Sequence, residues 1–189
     1  MKPAEATIAK TKWILDPVHS ELVFKVRHLM ITNVKGEFRN FSVEIDGEDF
    51  TESKIKVTID ATSITTNDVK RDEHLRSADF LDLKNHKEIL FEGTSFVQLN
   101  DKKYLLKGML TIKDISNEIS LDVEFGGINK DPWGGEKAGF SINGKIKRKD
   151  WGLTWNASLE TGGVLVSDEV RISGEVQFAK KNNDEIKPG

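Results

Sequence analysis

The chain has 189 residues, 37% of them hydrophobic and 31% charged, which is enough for one domain with a substantial core. Its net charge of −3, from 28 basic and 31 acidic residues, gives no basic footprint for nucleic acid. The lack of cysteine excludes disulfides and thiolate chemistry, and no apolar run approaches the ~20 residues of a membrane-spanning helix, so stable membrane insertion is not expected.

Residues 1–11 are polar, contain Pro3 and follow no period; they read as a flexible arm without the apolar centre of a secretory signal. The expected compartment is the cytoplasm, or the periplasm if a signal has been removed. Trp13, Ile14 and Leu15 then enter the core, and Asp16-Pro17 marks a turn. From there Leu22, Phe24, Val26 and His28 share one face of a strand, with Glu21, Val23, Lys25 and Arg27 on the other, so His28 points inward. Phe38 has the opposite parity to Phe41, Val43 and Ile45, which calls for a bulge or bend near Arg39-Asn40. Asp46-Gly47 has turn chemistry, and Ile55, Val57 and Ile59 make a half-buried strand.

Asn67 to Asp82 breaks the alternation and reads as helix, with Asn67 as cap and Asp68 adding negative charge at the positive end. Val69, Leu75, Phe80 and Leu81 would give its apolar side. It is also the densest polar cluster in the chain, holding Lys70, Arg71, Asp72, Glu73, His74, Arg76 and Asp79. Two readings stand open: solvated charges on a helix face, or a polar site.

Ile89, Leu90 and Phe91 resume the strand pattern, and Asn100-Asp101-Lys102 turns the chain into Tyr104, Leu106, Gly108, Leu110 and Ile112. A turn over Asp114 to Asn117 leads to Ile119, Leu121, Val123 and Phe125, which alternate with polar residues. Gly126 to Gly135, with four glycines, Pro132 and Trp133, reads as a mobile loop able to act as a lid. Ala138, Phe140, Ile142, Gly144 and Ile146 form another inward row, as do Val170, Ile172, Gly174, Val176 and Phe178. Residues 180–189 read as a disordered tail, leaving a barrel domain over 12–179. The fold class is all-β, an antiparallel barrel with a short helical insertion. Glycines at positions 108, 144 and 174 of the inward rows either leave interior space or mark strong coiling.

Several stretches together resemble the YceI-like polyisoprenoid-binding proteins. They are Asp16 with His19-Ser20, Phe24-Lys25-Val26-Arg27-His28, Val34-Lys35-Gly36-Glu37-Phe38, and Arg71-Asp72-Glu73-His74-Leu75-Arg76-Ser77 with Asp79-Phe80. Further on come Gly108 with Leu110-Thr111-Ile112, Arg148-Lys149-Asp150-Trp151-Gly152-Leu153, and Asp168-Glu169-Val170. The resemblance runs from Trp13 to Ala179 and implies an extended, lipocalin-like antiparallel barrel. It implies a non-covalent ligand, a long amphiphilic lipid such as a prenylated quinone or polyprenyl phosphate, and no cofactor or reaction. Two departures stand out: His86-Lys87 replaces an aromatic residue followed by Pro, and Asp114 takes a turn position often held by Gly.

The expected tail-lining set is Phe24, Val26, His28 and Phe38 from the first half, with Phe91, Leu110, Ile112, Leu121, Val123, Phe125, Phe140, Ile142 and Ile172 from the second. Arg71, Asp72 and His74 are the expected head-group residues at the mouth, because an amphiphile cannot bury its polar end unpaired. A guest of roughly 40 heavy atoms at ~0.3 kcal/mol each would reach about 12 kcal/mol. His19, His28, His74 and His86 are far apart in sequence, and no metal is assigned. The alternative is a hydrolase or isomerase using Arg71, Asp72 and His74, with no nucleophile motif beside them. The partner expected is a small lipid rather than nucleic acid, with a homodimer left open.

Overall fold

A computed structural model describes residues 11–160 and 162–182. Apart from Thr11, the expected N-terminal arm lies outside the described residues, and so does the C-terminal stretch from 183 onward. Eleven strands pair antiparallel: β1 (Thr11–Leu15), β2 (Glu21–His28), β3 (Thr32–Phe38), β4 (Phe41–Asp46), β5 (Lys54–Asp60), β6 (Ile64–Thr65), β7 (Glu88–Gln98), β8 (Lys103–Ile112), β9 (Ile115–Lys130), β10 (Glu136–Lys147) and β11 (Val166–Asn182). One α-helix, α1 (Val69–Arg76), is inserted between β6 and β7.

The order β1-β4-β5-β7-β8-β9-β10-β11, with β11 pairing back to β1, makes a closed barrel of eight strands that leaves no free edge around the ring. The strands β2, β3 and β6 prolong β1, β4 and β5 beyond breaks that lie at one level. Asp16 N–H donates to Gln177 O at 2.8 Å, and Gln177 N–H to Ser20 Oγ at 3.0 Å. Arg39 N–H donates to Ser63 O, Asn40 N–H to Ser63 Oγ, and Asp60 N–H to Asn40 O. These five backbone N–H groups thus find partners across the breaks, as a buried ladder requires. The bend at Arg39-Asn40 lets Phe38 and Phe41 both face inward despite their parity.

Several sequence expectations need correction. Half of the Gly-rich stretch is strand: β9 runs to Lys130 and β10 starts at Glu136, paired Lys130 to Glu136 and Asn129 to Lys137. What is left is a turn fastened by Asp131 Oδ1, which accepts from Trp133 N–H and Gly135 N–H at 2.9 Å each. It is not a lid over the mouth. The barrel tolerates the glycines because a register shift between Gly139 and Phe140 sits opposite Gly127, whose φ is 103°. The turn after β8 is only Lys113-Asp114, since Ile112 already pairs with Ile115. Lys180 to Asn182 belong to β11, with Lys180 opposite Trp13.

The two barrel ends are built differently. At one end Phe50 packs on Trp13, Phe140 and Phe178 with ring centroids 5.1, 4.8 and 6.4 Å apart. Lys180 lies over Trp13 and pairs with Glu136 at 3.2 Å and Glu48 at 3.6 Å. The bond to Glu136, outweighing burial, holds its ammonium above the ordinary value. At the other end Arg148 is 3% exposed and donates to four carbonyls: Ser167 and Val166 on β11, and Leu153 and Trp155 on the segment between β10 and β11. Burial pushes its guanidinium pKa down, opposed by Asp168. Beside it Trp151 is buried and donates from Nε1 to Leu110 O at 2.9 Å.

Arg148→Ala is expected to cost roughly 3 kcal/mol or more, because it strands buried carbonyls and opens a void. Arg148→Lys should recover little, since an ammonium cannot reproduce the planar fork. Chemical denaturation of the three proteins measures this; a loss below about 1 kcal/mol for the alanine variant would show that the carbonyls find other partners.

Candidate ligand cavity

The inward rows do not meet across the barrel. They enclose a cavity of about 650 Å³ running from Phe50 and Phe140 toward the end flanked by the β2–β3 hairpin, α1 and residues 153–166. Residues at inward positions such as Leu22, Phe24, Val26, Ile142 and Ile172 are therefore only half-buried, although they pack against the core. At ~30 Å³ per water the space equals roughly twenty waters, which an apolar wall does not hold by hydrogen bonds.

Phe24, Val26 and His28 of β2, Phe38 of β3 and Phe91 of β7 face this space. So do Leu110 and Ile112 of β8, Leu121 and Val123 of β9, Phe140 and Ile142 of β10, and Ile172 of β11. Phe125 does not. It lies beyond the floor in a separate pocket of about 170 Å³ with Tyr104 and Ile128, and Phe50, Phe96 and Phe140 border both spaces. Its period-2 parity gave its face but not its depth along the axis. Phe41, Val43, Phe50, Ile55, Val57 and Ile59 also line the cavity. All but Phe50 were available from the alternation of β4 and β5; Phe50 sits in a turn, where periodicity is silent. The glycines of the inward rows do not all leave space: the Phe91 ring covers Gly108 and the Leu121 side chain covers Gly144, while Gly174 borders the cavity.

The polar groups that border the cavity gather at one end: Arg27, His28, Thr66, Asp68, Lys70, Arg71, His74 and Arg148. α1 is shorter than its charge cluster suggests. Its cap is Asp68, whose carboxylate accepts from Arg71 N–H at 3.0 Å, while Asn67 takes a left-handed φ of 60° before it. Val69 points to solvent rather than to the core. Arg71 donates from Nε to Thr66 Oγ1 at 2.7 Å and from Nη2 to Thr66 O at 2.9 Å. Arg76 reaches Ile64 O at 2.8 Å. These bonds pin α1 to β6 at the barrel's open end.

Asp72 is placed differently from its expected role. It is 7% exposed and faces Thr66 N–H, Thr66 Oγ1 and Thr65 Oγ1 at 2.8, 2.6 and 3.3 Å, beneath the helix rather than in the cavity. Burial alone would raise its pKa; the hydrogen bonds from Thr66 and Thr65 and the charge of Arg76 together hold it below the ordinary value. His74 borders the cavity, pairs with Asp79 at 2.8 Å, and stands edge-on to Phe80 and Trp155 with centroids 5.1 and 4.5 Å away. His19 is exposed and paired with Asp16 at 2.7 Å. The two departures noted in the sequence face each other: His86 Nδ1 lies 3.7 Å from Asp114 Oδ1.

The YceI-like domain family model matches residues 13–178. A UPF0312 protein of Staphylococcus epidermidis is 38% identical over 175 residues, covering 91% of this chain and 99% of its own. The crystal structure of the Campylobacter jejuni YceI protein superposes with a TM-score of 0.70 at 36% identity, covering 82% of this chain and 90% of that one. A polyisoprenoid-binding domain of Saccharophagus degradans shares the fold, with a TM-score of 0.65 at 13% identity over 88% of this chain and 97% of its own.

Asp72 stabilises the fold while it is ionised. With a depressed folded pKa its contribution is full above the ordinary carboxyl value of ~3.9 and is lost as the pH falls through the lower folded value. Asp72→Ala is expected to cost about 1 to 3 kcal/mol at neutral pH, several degrees of Tm, and the gap to the parent should narrow below pH ~4. Melting curves across acid pH measure this; a gap that stays constant would assign the loss to packing.

Proposed function

The chain belongs to the YceI-like domain family, and from that premise we propose that it binds and carries or stores a long-chain amphiphilic lipid, its isoprenoid or similar tail in the cavity. The observation that carries the reading is the polarity of the cavity: apolar along its length, with Lys70, Arg71, His28 and His74 gathered at one end. An amphiphile needs that order, because its tail gains by leaving water while its head must remain hydrated or paired. Arg71 spends Nε and Nη2 on Thr66, which leaves Nη1 to meet an anionic or quinone head.

The volume sharpens the ligand. A chain carbon with its hydrogens takes about the space of a water, ~30 Å³, so about 650 Å³ accommodates on the order of twenty tail carbons. That is half the guest weighed from sequence. At ~0.3 kcal/mol per atom it supports about 6 kcal/mol, with head-group contacts adding to that. Catalysis by Arg71, Asp72 and His74 is the weaker reading, because Asp72 is committed to Thr65 and Thr66 and His74 to Asp79.

Native mass spectrometry of the purified protein, followed by organic extraction, is expected to return a bound prenyl or acyl species. A bare chain mass in repeated preparations, with no uptake of added lipid, would overturn the proposal. Tail length then reports the site. Leu121→Trp should shorten the longest tail retained at a cost of ~1 to 3 kcal/mol in stability. Phe50→Ala should join the pocket of about 170 Å³ beyond the floor and lengthen the tail by roughly five carbons. An unchanged tail profile in both variants would place the guest outside the barrel.

A further inference from the structure

The rim of the cavity carries apolar side chains that nothing among the described residues covers. The β2–β3 connection is Leu29-Met30-Ile31, with Met30 52% and Ile31 76% exposed. Leu29 and Met30 both have positive φ, 54° and 60°, in a turn closed by Ile31 N–H donating to His28 O at 3.1 Å. Such positions favour Asn or Gly, so large apolar residues are held there against local preference. Leu29 N–H also donates to Leu165 O at 2.9 Å, tying the tip to the segment where Val164 is exposed. Val69, at the start of α1, is 75% exposed and sits between Asp68 and Lys70, both of which border the cavity.

The charge around this tip is one-sided. From Leu22 to Gly36 there is no acidic residue, while Lys25 and Lys35 face each other on the outer side of the hairpin and Arg27 stands at the rim of the cavity. Among the described residues none of the three has an ion-pair partner, and neither has Lys70. The acids nearby are Asp68, which caps the helix, and exposed Glu73 on α1, with Asp168 and Glu169 on β11 beside Arg27; Asp168 accepts from Lys149 N–H and Glu169 is taken up by Lys145 and Arg171. In a chain of net charge −3, this concentrates positive charge around an apolar tip. Trp133 at the opposite end is 90% exposed but follows Asp131 in a turn between Lys130 and Glu136, with no such excess.

We infer that the β2–β3 tip, with Val69, docks the mouth of the barrel onto an anionic lipid bilayer, the tip entering the head-group layer and the lysines and arginine meeting phosphates. Apolar side chains ringed by cations are the combination that binds such an interface. The inference rests on the proposed cargo for its purpose, since a docked mouth lets a tail pass between bilayer and barrel without crossing water.

Co-sedimentation with vesicles tests it. The purified protein is expected to pellet with an equimolar mixture of phosphatidylglycerol and phosphatidylcholine more than with phosphatidylcholine alone, and less as salt rises. Met30→Ser with Ile31→Ser should weaken partition about tenfold or more, and Lys25→Glu with Lys35→Glu should remove the preference for anionic vesicles. Trp133→Ser should bind as the parent does, and circular dichroism should show all variants folded. Failure of the parent to pellet with either vesicle, or parent-like binding by the tip variant, would overturn the inference. So would a tip that holds a second copy instead, seen as a smaller hydrodynamic size in the tip variant without vesicle binding in the parent. Native mass spectra of the same preparations separate the two claims: cargo without vesicle binding overturns docking alone, and vesicle binding without cargo overturns the carrier reading alone.

Discussion

An apolar wall that its own side chains do not fill is the constraint on which the rest of this structure depends. Inward residues on β2, β3, β4, β5 and β7 to β11 face about 650 Å³ of space. Native interiors otherwise close to crystal-like density, and a lining without partner atoms forfeits dispersion contacts. The walls therefore have to be held apart by something other than core packing. Ring closure does this, since each strand of the barrel hydrogen-bonds to two neighbours and the circumference is set by the ladder rather than by the contents.

The ends then decide what the space can hold. The aromatic floor of Trp13, Phe50, Phe140 and Phe178 ends the cavity in apolar rings and excludes a polar head there. At the other end the aligned breaks at Asp16–Ser20, Arg39-Asn40 and Asp60–Ser63 let β2, β3 and β6 extend past the ring, where β3 pairs with β6 through only two residues. α1 lies at that gap, fixed by the buried Asp72–Thr66 contacts and by Arg71 and Arg76. Arg148 performs the corresponding task for the segment before β11. Charged residues at the mouth thus have two jobs, and the structure separates them: Asp72, Arg76 and Arg148 are spent on backbone and hydroxyl groups, whereas Lys70 is unpaired among the described residues and Arg71 is shared.

The barrel was legible in the sequence because alternation with period 2 survives wherever one face is apolar, as in Ile119 to Val123 or Ile55 to Ile59. The same parity named most residues that border the cavity. It says nothing of height, which is why Phe125 was grouped with the lining although it lies below the floor, and why Phe50 was missed. Composition misled at Gly126 to Gly135, where cross-strand pairing to β10 overrides weak strand propensity. Composition gives no sign of the role of Arg148, which sits in a Lys-Arg-Lys-Asp run yet is almost fully buried. Nor could sequence show that Thr65 and Thr66 would occupy Asp72, since that contact depends on how α1 folds back on β6.

The most direct measurement of the central claim is a crystal structure of the protein as purified from a lipid-containing host. The account expects continuous tubular density rising from Phe50 and Phe140 past Leu121 and Ile142, ending in a polar group near Arg71, His74 and His28. A cavity holding only scattered water, or a guest whose polar end lies at the aromatic floor, would contradict it.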